Sequence, residues 1–584
     1  MAALGAAVGE EAGIVRITVV GGGPGGLFFA TLIKRADPTA EVTVFERNRA
    51  DDTFGFGVVF SDRTLAGIYE ADPVLREALT AGGTHWDEIE VRLKGERVRC
   101  GGNGMAAVAR KTLLALMQAR AREVGVDLRF STEVSLDDLS GHDLVVAADG
   151  TGSRTRDRLL ADGADLGMTV ETASAKFIWF GTDYLFDGLT FVHERSPDGV
   201  FAVHGYPISG EMSTFIVETD EAAWRRAGLD EFDAEAQPRG ASDLVSREYL
   251  EKLFADQIDG GRLLVNNSRW ASFRTRRTRR WQVLQPWPVA LLGDAVHTAH
   301  FSVGSGTKMA MEDAVELARA LTEHPGDLAA ALAAYEQAAQ PSVRRIQDSA
   351  RPSLAWWEHF GRYYEEFAPW QFGYHFLSRS ISDARLARRA PEFVAASHRG
   401  WIAAHGTEPL DTPFVAGGWS APTRLLTVTA APDGRPREVV GGSDTLPLTP
   451  ESEFLSAAES ESDSASQSSS ASVPESASAA ASPNRGEQGS EPWGAVLAAP
   501  ADEAGLPDVF SRLAELGRLA SPPVLVAVYG GTALTRTLVC EQARMHDRLP
   551  ALLVDPAAGF DEAGRDRAVT TVLSGRADAV GVAE

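Results

Sequence analysis

Cysteine is nearly absent: Cys100 and Cys540 are the only two in 584 residues. Two thiols cannot build a disulfide framework or a cysteine-based zinc site, so no metal is expected and a reducing cytoplasm is the expected setting. Basic charge is also scarce. The 56 Lys and Arg against 81 Asp and Glu leave a formal net charge of −25. Nucleic acid and anionic membranes both reward a basic face, so neither is expected as a partner. No uncharged run free of dense glycine reaches the ~18 apolar residues of a membrane span. The opening MAALGAAVGEEAGIV has no basic residue and two glutamates, unlike a signal peptide. Apolar residues at 44% and charged residues at 23% then leave an ordinary globular chain.

Residues 14 to about 400 read as one body, in which short apolar strands alternate with Ala/Leu/Arg-rich helical stretches. A composition break follows. From Glu451 to Ser482, 13 of 32 residues are serine, with little to bury and an acidic excess, so 451–491 is expected to be a disordered linker. Globular patterning returns at Pro492. Pro523–Tyr529 and Pro550–Val554 read as buried strands and Arg536–His546 as a helix.

The chemistry begins at the first strand. IVRITVV (Ile14–Val20) runs into Gly21-Gly22-Gly23-Pro24-Gly25-Gly26 and then LFFATLIKR. Gly21, Gly23 and Gly26 satisfy G-x-G-x-x-G, in which glycine allows the tight turn, the close approach of a pyrophosphate and close helix–strand packing. The helix N-terminus offers unpaired N–H groups to that pyrophosphate. A second strand, Val42–Phe45, ends in Glu46, 20 residues after Gly26. A carboxylate there suits a free ribose 2′-hydroxyl, hence FAD or NAD rather than NADP.

Two further stretches, DLVVAADGTGSRTR (Asp143–Arg156) and ALLGDAVHTAHFSVGSGTKMAMEDA (Ala290–Ala314), complete a set of three. Together they resemble the signatures of the group A FAD-dependent aromatic hydroxylases. The fold implied is α/β and p-hydroxybenzoate hydroxylase-like, a Rossmann-type FAD domain (14–170 and 285–350) with an interleaved substrate-facing sheet (about 171–284). The resemblance places Gly21, Gly23, Gly26, Glu46, Arg47, Arg110, Asp149, Gly150, Gly293, Asp294, Gly304 and Gly306 around FAD. NADH or NADPH would be the co-substrate and O2 the oxidant, acting through a flavin C4a-hydroperoxide. FERNRADDTFGFGVVFSD (Phe45–Asp62) and HTAHFSVGSGTKMAMEDA (His297–Ala314) are most similar to the salicylyl-CoA 5-hydroxylase and anthraniloyl-CoA monooxygenase branch. An aromatic CoA thioester is the substrate this implies, with a free or carrier-protein-bound aromatic as the alternative.

Members of that branch can carry a second, FMN-binding barrel of the old yellow enzyme type. Glu408–Val428 is similar to its opening, whereas the closing segments after Pro492 carry Val554-Asp555-Pro556 in place of phosphate-admitting glycines. The resemblance therefore implies a small, degenerate barrel-derived domain, with 401–450 as a connecting segment and 492–584 as a truncated remnant. FMN is not expected there, and packing against the hydroxylase or a homodimer contact is the role left to it.

Candidate substrate-pocket residues lie between the second and third signatures. They are Trp179, His204, Tyr206 and Trp270, any of which is equally at home in a core. His204 and Tyr206 share parity and so one face of a strand. His297 and His300 flank the flavin loop, as substrate contacts or as structural histidines. Arg274, Arg276, Arg277, Arg279 and Arg280 form a basic run. Arg274, Arg276 and Arg277 are candidates for CoA phosphates, against the alternative of a solvated strand edge or ion-pair bank.

Overall fold

The computed structural model describes residues 15–53, 55–139, 141–232, 236–238, 240–304, 306–453, 492–519, 521–558 and 560–584. The linker expected over 451–491 lies almost wholly outside them. The chain divides into two compact units, Met1–Tyr364 and Glu365–Glu584. The boundary falls well before residue 400, so the helices Pro369–Leu377, Asp383–Arg389 and Pro391–His405 belong to the second unit.

The first unit contains a six-stranded sheet in the order Gln282–Val283, Val289–Leu291, Leu144–Ala147, Arg16–Val20, Glu41–Phe45, Asp127–Arg129. All neighbours are parallel except the first pair. Its central strands are largely buried on both faces and are accordingly mostly apolar. Helix Pro24–Ala36 covers one face with Leu27, Phe28, Phe29 and Ile33. Each such burial contributes about 1.5–3 kcal/mol relative to exposure, which outweighs the poor helix propensity of its two glycines. Register decides what comes next. Val20 pairs with both Phe45 and Ala147, and Ala147 with Leu291. Four strands therefore end level, and Gly21, Glu46 and the loops after Ala147 and Leu291 emerge at one edge, where open α/β sheets bind ligands.

An eight-stranded sheet stands beside it. Its main order is Leu263–Leu264, Thr169–Thr182, Ser213–Thr219, Gly199–Pro207, Leu189–Ser196, Ile89–Leu93, Glu96–Cys100, with Ala271–Arg277 also pairing Thr169–Thr182. The sheet expected within 171–284 thus also takes two strands from the segment assigned to FAD. One face carries Ile178, Phe180, Val192, Phe201, Val203, Phe215 and Val217 and packs on Leu250 and Phe254. The opposite face, fixed by the register, carries Phe177, Trp179, Glu218, Ile216, His204, Tyr206, Phe191 and His193.

The second unit contains a closed seven-stranded barrel: Leu425–Ala430, Pro436–Gly441, Asp444–Pro450, Gly494–Ala498, Leu525–Tyr529, Ala551–Pro556 and Ala579–Ala583. The first three strands are antiparallel neighbours, the rest are parallel, and the last closes on the first. The segments 401–450 and 492–584, separated in the sequence reading, therefore build one barrel. Leu426, Val428, Val439, Leu446, Val496, Leu525, Leu552 and Ala579 fill it. Helices Leu506–Gly517, Ala533–Met545 and Glu562–Ser574 follow the parallel strands. Among the described residues no helix is long and apolar enough to cross a membrane.

Candidate active site

The cradle at the strand ends is built from backbone that only glycine tolerates. Gly21 has φ +112°, and a Cβ there would stand 2.3 Å from the Ala148 carbonyl oxygen. A Cβ on Gly26 would stand 2.2 Å from the Gly21 oxygen, whereas Gly23 faces open space. The first and third glycines thus serve packing, and the second leaves room for a ligand. Glu46 accepts from the Gly22 N–H and from the Asn48 N–H and side chain, each at 2.8 Å. Arg47 is exposed.

Asp149 accepts from the Thr155 N–H and hydroxyl through Oδ2, both at 3.1 Å. Its Oδ1 is buried with no hydrogen-bond partner among the described residues. Gly150 (φ +81°), Gly304 (φ +62°) and Gly306 border open space. Gly293 (φ +63°) donates its N–H to Asp313 at 2.9 Å, and Asp294 follows it. Burial pushes the Asp294 carboxyl up, opposed by His297, Arg110 and Arg276. Arg110, the first residue of helix Arg110–Glu123, has its pKa lowered by burial, with Asp294 and Tyr206 opposing. An unpaired buried carboxylate oxygen, open glycines and a desolvated guanidinium at one sheet edge fit a dinucleotide rich in hydroxyl donors and anionic oxygens.

Facing the loop 293–306 is the aromatic side of the second sheet. Phe301 packs edge-on against Phe177 at 4.9 Å and His204 at 5.5 Å, and lies 6.1 Å from Trp179. Trp357 covers His204 at 4.3 Å and stacks parallel to His193 at 6.1 Å. In this aromatic setting Glu218 is buried, with the His204 Nε2 at 3.2 Å and the His300 Nε2 at 3.7 Å. His300 also meets Ser302 at 2.8 Å, and Ser302 meets Ser353 at 2.8 Å. Burial, reinforced by His204, pushes His193 down to about 3. Burial pushes Tyr206 up to about 12; its hydroxyl lies 3.4 Å from the Gly57 carbonyl.

Residues 15–350 match the FAD binding domain family. The chain belongs to this family. Three relatives narrow the chemistry. A salicyloyl-CoA 5-hydroxylase from a Streptomyces species is 52% identical over 97% of this chain and 99% of its own. A 3-hydroxy-4-methyl-anthranilyl-[aryl-carrier protein] 5-monooxygenase from Streptosporangium sibiricum is 37% identical over 59% of this chain and 89% of its own. A protodeoxyviolaceinate monooxygenase from Chromobacterium violaceum is 32% identical over 59% and 89%. The protein is an FAD-dependent aromatic monooxygenase that acts on a small aromatic molecule.

The monooxygenase brings some sequence candidates together and separates others. Trp179, His204, Tyr206 and His300 share the aromatic side. Trp270 does not: it packs with the core on the opposite face, lies 6.5 Å from Trp224 and donates its indole N–H to Ser246 at 2.7 Å. The register explains this: Ala271 pairs with Phe177, so Trp270, one residue earlier, falls on the other face, with Ile178. His297 is structural, bonded at 2.7 Å to Asp313, the residue that also anchors Gly293.

The basic run divides likewise. Arg276, expected as a CoA-phosphate contact, is instead 5% exposed and donates to the Asp294 and Thr151 carbonyls, both at 2.9 Å, so its guanidinium is engaged in the interior. Arg277 pairs with exposed Asp348 at 3.1 Å, and Arg274, Arg279 and Arg280 are exposed. Glu218 was not singled out from sequence. The available signal is a lone acid in STFIVET on the parity of Thr214 and Ile216.

In the barrel unit, Gly575 ends helix Glu562–Ser574 at φ +78°. Arg576 beside it is buried and donates to the Ser378 hydroxyl at 3.0 Å and the His375 carbonyl at 2.6 Å. Those bonds serve packing within this unit. Arg536 is likewise paired with Asp555, at 3.0 Å.

Proposed function

We propose that the monooxygenase hydroxylates the activated ring of a salicyloyl- or anthraniloyl-type CoA thioester, with NADH or NADPH as reductant and O2 as oxidant. The observation that carries this reading is the end-to-end likeness to the salicyloyl-CoA 5-hydroxylase, which extends through the barrel unit. Gly21, Gly23, Gly26, Glu46, Arg110, Asp149, Gly150, Gly293, Asp294, Gly304 and Gly306 would hold FAD. When bound there, FAD would supply the redox chemistry, accepting hydride from the nicotinamide and activating O2, while these residues hold and orient it.

The residues of the chain supply the setting. Phe177, Trp179 and Phe301 offer flat walls to a ring and exclude water. The His204 imidazole, with Nε2 3.2 Å from the Glu218 carboxylate, is suited to take the proton shed by the ring's OH or NH2. The carboxylate then stabilises the imidazolium. Arg274 and Arg277 remain the candidates for CoA phosphates. Two buried cysteines, Cys100 and Cys540, suit a reducing cytoplasm.

A carrier-protein thioester is the second reading, favoured by the relative from Streptosporangium sibiricum. The test is NAD(P)H oxidation by the FAD-loaded protein with salicyloyl-CoA, anthraniloyl-CoA, the same acyl groups on a carrier protein and the free acids, with products weighed. The expected result is fast oxidation and a gain of one oxygen with the CoA thioesters alone. Equal response to the free acids, or to none of the panel, overturns the thioester reading. Response to the carrier-bound forms alone selects the second.

A further inference from the structure

The two loops that must meet one cofactor, Asp149–Thr151 and Gly293–Ala295, are tied to each other by two buried arginines. The Arg276 Nη1 donates to the Asp294 carbonyl and its Nη2 to the Thr151 carbonyl, both at 2.9 Å. The Arg156 Nη1 donates to the same Thr151 carbonyl at 3.3 Å and to the Ala295 carbonyl at 3.0 Å. Arg276 is itself held in place: its N–H donates to the Thr298 hydroxyl at 2.7 Å, and Gln347 donates to its carbonyl at 2.7 Å.

The charges in this clamp are poorly balanced. Arg156 and Arg276 are 4% and 5% exposed. The ion-pair partner of Arg156 is Asp157, whose side chain is 62% exposed. No carboxylate stands within ion-pair distance of Arg276 among the described residues. Burial, and then repulsion by Arg156 and Arg274, push the Arg276 guanidinium down. Asp294 and Asp157 oppose only part of this; desolvating two like charges with so little paired carboxylate is costly, and negative charge arriving between the loops offsets that cost. FAD brings a pyrophosphate and gains further negative charge on reduction.

We propose that Arg276, with Arg156, is a positioning residue for FAD. Its fork sets the spacing of the two loops, and its charge favours the reduced cofactor over the oxidised one. This depends on FAD binding and not on which ring is hydroxylated.

The test uses the full chain freed of FAD. It measures the Kd for FAD by fluorescence titration and the two-electron potential of the bound flavin against a reference dye. Arg276→Met is expected to weaken oxidised FAD about tenfold. It should weaken reduced FAD about tenfold further, a fall of about 30 mV in potential. Arg276→Lys keeps the charge but cannot span both carbonyls, so affinity falls while the potential stays. Arg158→Met, two residues from Arg156 and paired on the surface with Asp137 and Asp162, should change neither. Wild-type affinity and potential in Arg276→Met overturn the proposal. Lost affinity with an unchanged potential overturns its electrostatic half. If Arg276→Met does not fold, Arg276→Lys decides: weakened FAD at an unchanged potential supports the clamp, and wild-type affinity overturns it.

Discussion

Both units use the same device, parallel strands whose C-terminal ends present loops leading into helices, and they use it to different ends. In the first unit the groups at the strand ends are left open: Asp149 Oδ1 has no partner among the described residues, and Gly23, Gly150, Gly304 and Gly306 border space. In the barrel the corresponding charges are engaged with each other, Arg536 with Asp555 at 3.0 Å. A strand end becomes a binding site when its polar groups are buried and left for a ligand to satisfy. When neighbours satisfy them, it serves stability.

The sharpest way to break that contrast is to fill both glycine loops. Gly21→Ala places a methyl 2.3 Å from the Ala148 oxygen and should abolish FAD binding, with a loss of about a hundredfold or more in affinity. Gly530→Ala in the barrel has φ +70° but nothing closer than 3.9 Å. It should cost about 1 kcal/mol of stability and leave FAD affinity unchanged; titration with FAD and thermal unfolding distinguish the two.

A smaller effect follows from the paired aspartates. Asp149→Asn should weaken FAD about tenfold or more by removing a charged acceptor. Asp555→Asn should lower barrel stability by about 1 kcal/mol without touching FAD, read by the same measurements.

The two faces of the substrate sheet offer a third test. Trp179→Ala should raise the KM for the aromatic substrate about tenfold. Trp270→Phe loses its bond to Ser246 and should cost about 1 kcal/mol of stability with KM unchanged. A KM rise in Trp270→Phe would put that side chain back in the pocket.

The smallest expected effect is a difference in pH response. In the second unit His398 is raised to about 9, chiefly by its hydrogen bond to Asp383 and then by Glu408, against burial. Its stabilisation is fully present below about pH 6.5, the unfolded value, and is lost as pH rises through about 9. His193 in the first unit is depressed to about 3, so its contribution holds above about pH 6.5 and is lost on acidification. His398→Gln should flatten the alkaline arm of the unfolding curve and leave the acid arm in place.

How legible the site was depends on how local its causes are. Asp149 was implied by the family resemblance, whereas Gly21, Gly26 and Glu46 follow from constraints within a few residues: a turn that needs positive φ, a close approach, a strand that ends in an acid. Their identities could be read directly. The barrel strands Leu525–Tyr529 and Ala551–Pro556 and the helix Ala533–Met545 were legible within a few residues, because apolar runs and helical periodicity are local too. Trp270 and Arg276 were not. Nothing within reach of Trp270 in sequence shows that the register turns it to the core face, or that Ser246 waits there. In Arg276 the same guanidinium serves a phosphate on the surface or two carbonyls in the interior, and residue type does not distinguish them.

The sequence alone determined the dinucleotide-binding turn after the first strand and the strand–helix alternation after Pro492, with FAD implied by the family resemblance. The turn and the alternation are written in short-range patterns of glycine, charge and hydrophobicity. Only the tertiary structure decided that Glu218 meets His204 and His300, that Arg156 and Arg276 clamp two loops, and that 425–450 and 494–583 close into one barrel across a long insertion. Those outcomes rest on pairing register and on burial between residues far apart in the chain, where the free energy of a contact depends on partners that no local pattern specifies.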